Sequence, residues 1–137
     1  MDRMKATSRR TGPLRQSIRI RDHRITADEL PEVGGEDAGP SPQELLAASL
    51  ASCTAVTMAM YAQRKGWDIG PLEVDCEYQP AERGTPTRFD LVLRLSDHLT
   101  EEQVAKLRVI AAKCPIHRTL DGEVMFNERV ETAELTA

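Results

Sequence analysis

Ser41-Pro42-Gln43-Glu44-Leu45-Leu46-Ala47-Ala48-Ser49-Leu50-Ala51-Ser52-Cys53 opens the stretch that decides the fold, and it runs on without a charge to Gln63 before Arg64-Lys65-Gly66. Ser41 reads as a helix N-cap, Pro42 takes the first helical position, and Glu44 stands where a capping box needs it. Gly66 supplies the terminator. At 1.5 Å per residue such a helix is roughly 37 Å long. A domain of this size has a radius of gyration near ~14 Å, so the helix crosses the whole molecule. Leu45, Leu46, Leu50, Val56, Met58 and Met60 fall around most of its circumference. One small sheet cannot cover all of that, so a second subunit is expected to cover the rest. Six alanines with Ser49, Ser52, Thr54, Thr57 and Gln63 make the segment too weak for membrane insertion. The expectation is a buried helix in a cytoplasmic protein with no membrane partner.

Working outward, Leu14, Gln16, Ile18 and Ile20 alternate with Arg15, Ser17, Arg19 and Arg21, the period of a strand. A tight turn at Asp22-His23 leads to a second strand, Arg24 to Ala27, followed by a flexible acidic loop through Gly39-Pro40. Beyond the helix, Leu72, Val74, Cys76 and Tyr78 alternate with carboxylates, and Phe89, Leu91, Leu93 and Leu95 form the next strand. Thr100 with Gln103 predicts a second capping box, and Val104, Leu107, Ile110 and Ala111 give that helix its apolar stripe. Cys114-Pro115 breaks it and starts a short helical turn to Leu120. Asp121-Gly122 then turns into a last strand with Val124, Phe126 and Val130 on one face. Strands come in runs rather than in strict alternation with helices, which predicts an α+β class with antiparallel sheets around a long central helix.

The bulk composition narrows the function classes. The 137 residues are 40% hydrophobic, enough for a single domain over 1–137, with the polar segment 1–12 expected to be flexible. The first 24 residues hold eight Arg and Lys against Asp2 and Asp22, while Ile25 to Gln63 holds six carboxylates and no base. No nucleic-acid recognition motif accompanies the basic head, so no nucleic-acid partner is expected. The start lacks the apolar core of a signal peptide. Three cysteines without regular spacing exclude a disulfide scaffold, and no glycine-rich phosphate loop points to a nucleotide or flavin.

Chemistry concentrates in two thiols. Cys114, as N-cap before Pro115, would face free backbone N–H groups, which favour a thiolate. His117, three residues on, shares its helical face and could add charge or pass a proton; packing or hydrogen bonding is the competing role. Cys53 sits mid-helix, where backbone N–H groups are already used, so its activation requires a neighbouring cation. Cys76 lies on the apolar face of its strand and reads as core. Trp67 reads as a packing anchor and Met58 and Met60 as core filler; if a pocket lies near Cys53, Met58 and Tyr61 could also line it. Cys53, Cys114 and His117 are acceptable zinc ligands, but the spacing does not match a closed site and no fourth ligand is evident, so no metal is expected.

The run from Gly39 to Cys53, followed about sixty residues later by Cys114-Pro115-Ile116-His117-Arg118-Thr119-Leu120, resembles the OsmC/Ohr family of osmotically inducible and organic hydroperoxide resistance proteins. Cys-Pro-x-His, with Arg64-Lys65-Gly66-Trp67 after the helix, is similar to its OsmC-like branch. The resemblance covers nearly the whole chain, including element order. It implies an OsmC-like fold, an intertwined homodimer and a thiol-dependent peroxidase serving the oxidative stress response. Cys53 would be the attacking cysteine and Cys114 the resolving one, joined in a redox-active disulfide. No bound cofactor is implied; a dithiol reductant such as a lipoyl protein would restore the thiols. In the better-known members an arginine activates the attacking thiol and is fixed by a glutamate ten residues before it. Here that position is Gln43, about 80° from Cys53 round the helix, while Glu44 lies about 180° away. Glu44 then reads first as the capping partner of Ser41. The candidate arginines are Arg15, Arg19, Arg21, Arg24 and Arg118, with Arg24 preferred among those on the strands. A second reading is a redox-sensing or ligand-binding protein of the same fold with little turnover.

Overall fold

A computed structural model describes residues 3–136. The chain divides into two compact units, Met1–Leu45 with Glu128–Ala137, and Leu46–Asn127. In the first unit, β1 (Thr7–Arg10), β2 (Gln16–Ile20) and β3 (His23–Ala27) form an antiparallel sheet in the order β1-β2-β3. Ile18 stands opposite both Ser8 and Ile25, so the isoleucines share one face, while Arg9, Arg19 and Arg24 share the other. The pairing of Ile20 with His23 places the β2–β3 turn at Arg21-Asp22, one residue earlier than the turn expected at Asp22-His23. Of the segment 1–12 expected to be flexible, residues 1 and 2 lie outside the described residues. Thr7–Arg10 correct that expectation, because all four pair with β2. Polar strands such as this show no apolar period; the ladder defines them.

The acidic loop is not a loose one. Asp28, one carboxylate among several in the sequence, is 2% exposed. Its Oδ1 accepts the Glu29 N–H at 2.8 Å, and its Oδ2 accepts the N–H groups of Ala38 at 3.1 Å and Glu36 at 3.3 Å. The side chain thereby closes the segment into a ring around one buried anion, and a 3-10 turn at Pro31–Val33 fits inside it. Gly39 belongs to this closure: a Cβ there would collide with the Thr26 carbonyl. Burial pushes the Asp28 carboxyl up, but the three N–H bonds and the Arg15 charge outweigh it and hold the group below its ordinary value.

α1 (Pro42–Lys65) starts and stops as its sequence predicts. Ser41 N–H donates to Glu44 Oε1 at 2.9 Å, and Glu44 N–H donates to Ser41 Oγ at 3.1 Å, a reciprocal capping box. At the other end Gly66, at φ 71°, takes the left-handed conformation. Trp67 N–H then reaches the Ala62 carbonyl at 2.9 Å and Gly66 N–H the Gln63 carbonyl at 3.2 Å, the Schellman pattern.

In the second unit β4 (Glu73–Gln79) and β5 (Arg88–Arg94) make an antiparallel hairpin, followed by α2 (Glu101–Ala111) and α3 (Pro115–Leu120). Register puts Val74 opposite Leu93, Cys76 opposite Leu91 and Tyr78 opposite Phe89 on one face. Tyr78 and Phe89 stack with ring centroids 4.9 Å apart. Arg94 binds Asp75 at 2.7 Å on the solvent face. Buried Met58, Ala62, Ile69, Leu107 and Ala111 form the core, with Trp67, Val74, Leu93 and Leu95 packed against them. The Thr100–Gln103 capping box is present at the start of α2.

α1 is not buried all round. Only Leu50, Thr54, Met58 and Ala62, one stripe at four-residue spacing, are buried, while Val56 is 54% and Met60 53% exposed. By length and composition α1 is apolar enough to cross a membrane. The last strand is also corrected. Val124, Met125, Phe126 and Val130 are exposed, and no ladder forms after Leu120 among the described residues. An extended segment becomes a strand only when a neighbour supplies hydrogen-bond partners, and this segment has none.

The Asp28 network predicts a pH dependence. A carboxyl held below its unfolded value contributes stability that is present above the ordinary aspartate range and is lost as pH falls through its folded value. Asp28→Asn is expected to lower Tm at neutral pH by about 5 °C or more. The gap from wild type should hold in melts down to about pH 5 and narrow below it; a gap independent of pH would contradict the charge argument.

Candidate functional site

Cys114 is placed by Pro115. The residue before a proline is driven to extended backbone, and Cys114 sits at φ −57°, ψ 133°, outside the helical region. α2 therefore ends, and α3 begins one residue later with a missing proline N–H where none is needed. The Cys114 sulfur turns back onto the new helix and accepts the His117 N–H at 3.4 Å, as the N-cap reading predicts. Cys114 is 0% exposed.

The fold brings Cys53 to this turn. Both residues are free thiols, Cys53 half-buried on α1 and Cys114 buried. The Cys53 thiol lies close enough to the Cys114 thiol and to the Ile116 N–H for both to act on its charge. Two successive amides of α3 thus face the two sulfurs: His117 N–H bonds Cys114, and Ile116 N–H lies near Cys53. Ile116 was not legible as a site residue, because what it contributes is a backbone N–H and any side chain supplies that. Burial pushes the Cys53 thiol above its ordinary value of 9.0, the Cys114 thiol beside it adds to the rise, and the Ile116 N–H opposes both. Thr57 lies within reach of the same sulfur, but its hydroxyl proton is donated to the Cys53 carbonyl at 2.7 Å, so it supports a thiolate weakly.

The supporting residues scatter. His117 directs Nδ1 to the Ala112 carbonyl at 3.0 Å. A carbonyl only accepts, so Nδ1 carries the proton and Nε2 is left as the free nitrogen. Arg118 is exposed on α3, and no guanidinium is among the groups that shift Cys53. Arg24 is exposed in β3, directly across the ladder from Arg19. Gln43 is exposed in the first turn of α1, and Glu44 is committed to the capping box. Among the described residues no three His, Cys, Asp or Glu side chains gather as metal ligands.

A cleft of about 480 Å³ opens beside His117. Its walls are Leu91 and Leu93 of β5, Leu95 just past that strand, and Val104 and Ala111 of α2; Thr54 and Arg108 also border it. Met58 is the core filler it was expected to be, fully buried, and not a wall of this cleft; Tyr61 borders a different one. Cys76 is half-buried; burial, then the Asp90 charge, pushes its thiol up. Trp67 is the packing anchor it was expected to be.

One long thiol-bearing helix, two small antiparallel sheets and a second thiol capping a short helix define an α+β protein built around a cysteine pair. The sequence pattern of the OsmC-like protein family matches residues 34–129, and the chain belongs to that family. Solved structures share the fold. An OsmC-like protein from Mycoplasma pneumoniae superimposes with a TM-score of 0.73 at 20% identity, covering 88% of this chain and 89% of that one. The organic hydroperoxide resistance protein OhrB of Bacillus subtilis gives 0.61 at 23% identity, covering 88% and 92%. An organic hydroperoxide resistance protein from Legionella pneumophila gives 0.65 at 18% identity, covering 89% and 91%. No curated protein is similar enough to this chain to count as a match.

With its thiol pushed up and no cation among the described residues acting on it, Cys53 is expected to react slowly at neutral pH. Its alkylation rate in a Cys76→Ser background should climb with pH and show no plateau below about pH 9, followed by peptide mass spectrometry. A plateau near pH 6 would mean that a positive charge reaches Cys53 in solution.

Proposed function

We propose that the protein is a thiol-dependent peroxidase that reduces organic hydroperoxides. What carries the reading is the proximity of two free thiols, with Cys114 near enough to push the Cys53 thiol up. The Cys53 thiolate attacks the outer peroxide oxygen, the O–O bond breaks, and the alkoxide leaves as an alcohol after taking a proton. Cys53 becomes a sulfenic acid. The Cys114 sulfur then attacks the Cys53 sulfur, water leaves, and a disulfide forms. Two electrons have passed from the thiols to the peroxide. A dithiol, such as that of a lipoyl protein, returns them by exchange. Free Nε2 of His117, beside the cleft, suits it to carry a proton during these steps. The apolar walls of that cleft suit an alkyl or aryl tail, and membership of a family with named hydroperoxide resistance proteins agrees with it.

The working form under this reading is a cytoplasmic homodimer acting in the oxidative stress response. Exposed Val56 and Met60 on α1, with Phe126 83% and Val130 91% exposed near the C-terminus, are surfaces that a second copy would cover. Light scattering is expected to return twice the 15.2 kDa chain mass. A mass equal to one chain at micromolar concentration would rule the dimer out.

One observation favours the second reading, a redox-sensing or ligand-binding protein with little turnover: burial pushes the Cys53 thiol up. One equivalent of cumene hydroperoxide, followed by disulfide mapping, separates the two. A rapid Cys53–Cys114 bond, formed much more slowly with hydrogen peroxide, supports the peroxidase. Thiols left free support the alternative. Cys53→Ser should lower peroxide consumption by about a hundredfold or more, Cys114→Ser should permit a single event per subunit, and Cys76→Ser should leave turnover near wild type.

A further inference from the structure

The C-terminal end of α1 carries a group of side chains that the thiol chemistry does not use. Tyr61 meets Trp67 edge-on, with ring centroids 5.6 Å apart and planes at 73°. Two ammonium groups flank the same tyrosine ring: Lys65 Nζ and Lys106 Nζ each lie 5.7 Å from its centroid. Lys65 follows Tyr61 by one turn of α1, and Lys106 comes from α2. Neither forms an ion pair among the described residues, although Glu102 borders the same cleft. That cleft has a volume of about 810 Å³, and Val109, 55% exposed, lines it with both lysines and Trp67.

The ring attracts each cation, but the two cations repel each other. Both lysines line the same cleft, so an anion held there by the two ammonium groups offsets the repulsion, and a dianion matches both charges. A phosphate monoester carries nearly two charges at neutral pH and three strong acceptor oxygens. The cleft is far larger than a phosphate, and its indole and valine walls are apolar, which suits a flat group attached to that phosphate. We propose that this cleft binds a small phosphate monoester bearing a flat apolar group, with the phosphate between Lys65 and Lys106 and the flat group against Trp67. Recognition here comes from two lysines and an aromatic wall, so it leaves no glycine-rich loop in the sequence. The site is independent of the cysteine pair.

Trp67 is the single tryptophan of the chain and therefore a built-in reporter. Its indole N–H resonance in ¹⁵N-labelled protein is followed while phenyl phosphate is added. The expected result is a saturating shift in the millimolar range, with inorganic phosphate at least about tenfold weaker. The double variant Lys65→Gln/Lys106→Gln, its other resonances unmoved, should weaken phenyl phosphate by at least about tenfold. Absence of a saturating shift overturns the proposal, as does full binding by the double variant. Equal affinity for inorganic phosphate overturns the part assigned to the flat group.

Discussion

Proline at position 115 is the constraint on which the site depends. It forbids helical backbone at Cys114, so α2 cannot run on into α3, and the break falls on the one residue whose side chain can act as both cap and thiol. From that conformation follow the sulfur's bond to the His117 N–H and the exposure of the next amide, Ile116, to Cys53. A residue other than proline at 115 would let α2 continue, and both amides would then be spent on ordinary helical bonds. The geometry of the thiol pair is thus set by a steric rule acting on one ring.

The same site shows a tension between packing and chemistry. The Cys53 sulfur is held close to its partner by burial, and burial disfavours the thiolate that attack requires. One amide offsets this in part, while the Thr57 hydroxyl is already given to the backbone. Reactivity in this chain therefore turns on whether positive charge reaches Cys53. Proximity favours the disulfide, and charge governs the first step that leads to it.

Much of the fold was readable in order along the chain. Both capping boxes and the helix end at Gly66 follow from residues a few positions apart, where short-range sterics and hydrogen bonds decide. The misreadings have one cause, namely that the deciding partner lies elsewhere. β1 is polar and owes its existence to β2. Val124 and Phe126 alternate like a strand, yet no ladder includes them among the described residues. Asp28 looks like any solvated carboxylate until three amides close on it from as far as ten residues away.

By itself the sequence determined where α1 begins and ends, that Cys114 caps a proline-led turn, and which family the chain resembles, because each depends on local backbone rules or on residue spacing. Only the tertiary structure decided that Cys53 meets Cys114, that the Ile116 amide lies near the first sulfur, and that β5 and α2 rather than Met58 and Tyr61 wall the cleft. Those outcomes depend on which faces of separate elements pack together. Side-chain period names a face, but core packing selects its neighbour.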